Sequence, residues 1–144
     1  MSNFDEKMID RIKKLEREVE RLRVKESPGA WLDWTPTQTG WTDVPAGIYR
    51  YCKVGNLVTC KVTMSAGTSN DTVATLSLPF ANYAQVAAGA NGYAIDNGII
   101  LTVASRWYIA SWATSVKFFS DMGLGDWTAS GTKRIYATFT YEAA

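Results

Sequence analysis

Two carboxylates and a cluster of aromatics are the residues whose types and spacing could do chemistry. Asp121 and Asp126 share the loop SDMGLGDW and are the closely spaced acid pair of the β-rich region. Paired carboxylates can cleave a glycosidic bond when they stand at a fixed separation with split pKa values. The same pair could contribute oxygens to a calcium ion, which needs six to eight of them. RWYIASW places Trp107, Tyr108 and Trp112 beside Arg106. Exposed rings stack on sugars, while Arg and Asp bond to hydroxyls. The expected ligand-binding set is therefore Arg106, Tyr108, Trp112, Asp121 and Asp126, with Tyr108 and Trp112 sharing one face of a strand. Each motif also has a plainer reading. Gly, Ser and Thr beside the acids are turn companions, and Asp96 before Asn97-Gly98 reads as hairpin chemistry. Large rings most often fill a core or an interface.

Composition narrows the field. The chain has 144 residues and no histidine. That removes the usual Ser-His-Asp and Cys-His nucleophile systems and most zinc sites. Two cysteines alone cannot hold a metal cluster. No catalytic residue, cofactor or metal is expected. A net charge of +1 gives no bulk attraction for nucleic acid. Nothing reads as a secretory signal or a membrane span. The expected protein is soluble and made in a cytoplasm.

The elements that must position these residues fall into two regimes. Half of the acids and bases lie between Asp5 and Glu26. There Met8, Ile12, Leu15, Val19 and Leu22 recur at alternating steps of four and three, a heptad seam with Ile12 and Val19 at a. Ser2 or Asn3 could cap the start, and Pro28-Gly29 ends it. So narrow a stripe on so short a helix predicts a self-associating coiled coil. β-branched residues at a with Leu at d would suit two strands. RIKKLE, however, resembles the Arg-h-x-x-h-Glu motif of short trimeric coiled coils, with Arg11 at g and Glu16 at e. The expected organisation is a helix over 1–27, a linker over 28–30 and a β-sandwich over 31–144.

That domain reads as all-β and antiparallel. In IYRYCKVGNLVTCKVTM the Gly55-Asn56 turn pairs Val54 with Leu57, Cys52 with Thr59 and Tyr51 with Cys60. Tyr49, Tyr51, Val58, Cys60, Val62 and Met64 then share one face, with Lys53 its charged exception. Arg50, Cys52, Thr59, Lys61 and Thr63 share the other. The cysteines fall on opposite faces, so both are expected free, with Cys60 buried. TVATLSLPF, a hairpin at Asn97-Gly98, a pair around Ala113-Thr114, and TKRIYATFTY bring the total to about eight strands, a sandwich or jelly roll. In TKRIYATFTY, Ile135, Ala137, Phe139 and Tyr141 share a face. ANYAQVAAGANG is left between a short helical turn and a loop.

WLDWTPTQTGW, GIYRYCKVGNLVTCKVTMSAGTSN, LSLPF and WTASGTKRIYATFTYEA together resemble the terminal domains of bacteriophage tail-fibre and receptor-binding proteins. The resemblance spans Trp31 to Ala143. It implies a homotrimer of β-sandwich domains on a fibrous stalk, and so favours three strands in the coiled coil. Met8, Arg11, Ile12, Leu15, Glu16, Val19 and Leu22 would hold that trimer. It further implies a virion location, another virion protein at the N-terminus, and a host cell-surface glycan or protein as ligand. The alternative is a structural capsid, neck or tail decoration fibre with no receptor. If Met1 is the native start, the helix is the sole anchor; otherwise the chain is a truncated tip. Trp31, Trp34 and Trp41 are expected to lock the domain onto the stalk. SAGTSND, AAGANG and DMGLGD are the candidate distal loops.

Overall fold

The computed structural model describes residues 3–25, 29–43 and 45–144, and within the helix the side chains of residues 7–19. Ser2, Pro28 and the side chain of Leu22, named above, lie outside the described residues. Two compact units divide at Ala30 and Trp31. The first holds helix α1 (Asn3–Lys25). Met8, Ile12, Leu15 and Val19 of its seam are 48–60 % exposed in the single chain. Their spacing puts them on one stripe, so the helix forms with its apolar face unburied.

The second unit is an all-antiparallel pair of sheets, consistent with a β-sandwich. Among the described residues, one sheet runs in the order β1 (Leu32–Asp33), β3 (Gly47–Val54), β4 (Leu57–Met64), β12 (Thr132–Glu142), β8 (Tyr93–Asp96), β9 (Ile99–Ile100), with β5 (Gly67–Thr68) also on β12. The other runs β2 (Gln38–Thr39), β6 (Ala74–Ser77), β11 (Ser115–Phe119), β10 (Ser105–Ile109), β7 (Ala87–Asn91).

The β3–β4 hairpin has the register that its turn dictates: Tyr51 faces Cys60 and Cys52 faces Thr59. Gly55 takes φ 58 at the first turn position, as a type II′ turn requires. Asn97 and Gly98 both take positive φ, as a type I′ turn requires. Face sorting follows. Val58, Cys60, Val62 and Met64 are buried with Ile135, Ala137, Phe139 and Tyr141 of β12. Both cysteines are free thiols. Lys53 rests its ammonium 4.4 Å from the Phe80 ring centre, which explains a lysine on that face.

ANYAQVAAGANG is neither helical turn nor loop throughout, because β7 occupies its second half. Alanine and glycine are poor strand formers, so the cause is tertiary. Trp107 lies flat against Gly89, where an added Cβ would meet the indole at 2.6 Å. Pairing with β10 then runs from Ala87↔Ile109 to Asn91↔Ser105.

Burial sets an alkaline limit on this core. It pushes the Cys60 thiol from 9.0 to about 12. Tyr141 is raised by burial and then by Cys60, against a backbone hydrogen bond at Phe80. Tyr49 is raised by burial, against its hydrogen bond with Gln38. Each keeps a proton in the folded chain that the unfolded chain releases, so its stabilisation is lost as pH rises past the unfolded value. Lys133 is lowered, first by desolvation, and works in the opposite sense below 10.5. Three protons outweigh one. Urea unfolding should show stability beginning to fall near pH 9 and steepening past 10, by about 1.4 kcal/mol per pH unit for each net proton. Cys60→Ala should remove the part that begins at 9; a flat profile to pH 11 would contradict this.

Candidate functional site

The five sequence-derived binding residues do not converge. Arg106 and Tyr108 lie half-buried on the outer face of the second sheet, opposite Phe119 and Lys117. Trp107 points the other way, into the core. Strand β10 stops at Ile109, so Trp112 leaves the alternation and does not line up with Tyr108. Asp121 and Asp126 follow the far end of β11, a strand away from Trp112.

The aspartate loop is closed by its own bonds. Asp121 Oδ1 accepts from Gly125 N at 2.8 Å, and Ser120 N donates to Gly125 O at 2.9 Å. Asp96 reaches beyond its hairpin: its carboxylate accepts from Thr128 N and Oγ at 3.0–3.1 Å. Ser69 Oγ donates to Thr128 O at 2.6 Å, and Trp127 N donates to Thr72 O at 3.0 Å. SAGTSND and DMGLGD therefore gather at one end, whereas AAGANG is strand. The hub of that end is Lys133, fully buried. Its Nζ donates to Asp71 O at 2.9 Å and to Gly40 O at 3.2 Å. The rings of Trp41 and Trp127 stand 5.2 and 5.6 Å away. Trp41 is thus part of the domain's own core, donating from Nε1 to Lys133 O. Trp34 likewise packs edge-on against Tyr49 at 6.0 Å.

Trp112 is the distinctive side chain at the opposite end. It is 63 % exposed and holds φ 59, a conformation that a bulky L-residue adopts only under constraint. Asn82 supplies the constraint. Buried to 1 %, it donates from Nδ2 to Ala110 O at 2.8 Å and to Gln85 O, and its N–H donates to Ala113 O at 2.8 Å. Tyr83 braces the indole edge-on at 5.2 Å and is itself 45 % exposed. Asn82 and Tyr83 fall in the stretch that sequence leaves undecided, and no local signal marks them.

A second surface also escapes sequence reading. Two hollows of about 420 Å³ each adjoin on the outer face of the first sheet and share Lys61 and Thr63. Among the described residues there is no group of three or more Cys, Asp or Glu able to hold a metal ion, and no helix is long and apolar enough to cross a membrane. No protein-family model matches the chain, and no curated protein matches it.

Proposed function

We propose that the chain is a fibre or appendage protein of a bacteriophage virion, a homotrimer that recognises a host-surface glycan without catalysis. The observation that carries recognition is Trp112. Backbone strain of about 1–3 kcal/mol is held there by a buried asparagine clamp, and its product is an exposed, braced indole. Such a ring is a ready platform for a pyranose. The exposed heptad seam of α1 supports coiled-coil assembly, since an unpartnered apolar stripe is stabilised by siblings. Arg11 and Glu16 favour three chains, with the N-terminus meeting another virion protein. Chain crossings between the sheets after β1, β2, β5, β7, β9 and β11 support a jelly-roll-like course.

The test is the full chain on an array of bacterial surface polysaccharides. Saturable binding is expected to at least one of them, and Trp112→Gly should abolish it. That substitution relieves the left-handed strain while losing a ring contact of about 0.5–1.5 kcal/mol, so stability should stay within about 1 kcal/mol of the parent. Binding to none of them would favour a decoration fibre without receptor, and binding that ignores Trp112 would move recognition to another surface of the domain.

A further inference from the structure

The two adjoining hollows on the first sheet form a groove whose chemistry the Trp112 platform does not explain. Pairing across five strands lays down two rows of side chains, each four strands wide. One row is Tyr93, Tyr136, Thr63, Ile48; the next is Thr138, Lys61, Arg50, Asp33. The Tyr93 and Tyr136 rings lie 4.9 Å apart at 31°, half-buried. Arg134 sits at one end, its guanidinium 5.8 Å from the Tyr136 ring centre. Trp31, 41 % exposed, walls the other.

The charges are arranged against the fold's own interest. Lys61 stands directly opposite Arg50, and like charges at such a position destabilise a sheet. Asp33 relieves Arg50 from the rim at 3.2 Å. That pair is solvent-exposed and weak, and among the described residues it leaves Lys61 without a carboxylate partner. Among the described residues, no carboxylate lines either hollow. An anion laid over Lys61 and Arg50 would resolve the repulsion. The flanking rings offer stacking faces, and Thr63 and Thr138 offer hydroxyls. A site of this volume, open along the sheet, fits a few linked sugar rings.

We propose that this groove binds an acidic saccharide, with the sugar carboxylates on Lys61 and Arg50 and its rings against Tyr93, Tyr136 and Trp31. The inference extends the recognition reading to a second surface. It needs neither the trimer nor Trp112. Nucleic acid is the less suitable polyanion, because two cations between tyrosines make no basic stripe.

The test titrates the full chain with oligogalacturonate, oligosialic acid, maltohexaose and inorganic polyphosphate. At least one acidic oligosaccharide should bind more tightly than maltohexaose by about tenfold or more, with affinity falling as salt rises. Lys61→Glu and Tyr136→Leu should each weaken that binding about tenfold, whereas Trp112→Gly should leave it unchanged. Lys61→Glu converts a like-charge pair into an opposite one, so its melting temperature should equal or exceed the parent's. That separates lost binding from lost folding. Equal binding of maltohexaose, indifference to Lys61→Glu, or polyphosphate binding as tightly as the saccharides would overturn the proposal. No binding by either acidic probe, alongside Trp112-dependent binding on the polysaccharide array, would sink the groove alone and leave the recognition reading standing.

Discussion

Replacing Lys133 with alanine should cost roughly 2–5 kcal/mol of domain stability, the range for cutting a long buried side chain back to alanine. Lys133 is fully buried, and its ammonium joins three segments distant in sequence: Gly40, Asp71 and β12 itself. Alanine would leave two carbonyls without their donor and a void between Trp41 and Trp127. Methionine separates these terms. It fills the void but donates nothing, so Lys133→Met should cost less than alanine, about 1–3 kcal/mol. Urea unfolding at fixed protomer concentration reads both, because self-association makes apparent stability concentration-dependent. A methionine variant as stable as the parent would show that the carbonyls do not depend on the ammonium. The loops of that end should loosen first in either variant, visible as faster amide exchange over residues 65–73 and 121–131.

Replacing Ile12 with aspartate should dissociate the proposed trimer. Ile12 is 50 % exposed in the single chain and lies mid-seam between Met8 and Leu15. In a trimer the substitution would bring three carboxylates together in one apolar layer, each desolvated and repelled by its siblings. The penalty should be at least about 3 kcal/mol per trimer, more than a hundredfold in the association constant. Arg11→Ala is the milder companion, since exposed pairs contribute roughly 0.2–1 kcal/mol. Light scattering distinguishes the cases. An unchanged mass in the Ile12→Asp variant would move the assembly interface from the helix to the β domain.

What could be read from the sequence follows from which contacts are local. The β3–β4 hairpin was legible to the residue, because Gly55-Asn56 fixes the register and a slip would expose Val58, Cys60 and Val62. β12 was legible by alternation over Ile135, Ala137, Phe139 and Tyr141, whereas nothing local marked Lys133, which shares their parity, as a buried lysine. The four two-residue strands β1, β2, β5 and β9 owe their existence mainly to partners, with the Asn97-Gly98 turn alone marking β9. β7 is alanine- and glycine-rich and takes its form from Trp107. The candidate site failed for the same reason. Pairing Tyr108 with Trp112 assumed a strand that continues, whereas Asn82, from a segment with no clear pattern, turns the chain at Trp112. The groove rows depend on β12 lying between β4 and β8, a placement that no short stretch encodes.

Self-association through α1 is the proposal on which the fibre reading rests, and sedimentation velocity of the full chain tests it most directly. The expected result is a single species at three times the 15.9 kDa chain mass, persisting at micromolar concentration. A 15.9 kDa monomer under the same conditions would contradict it.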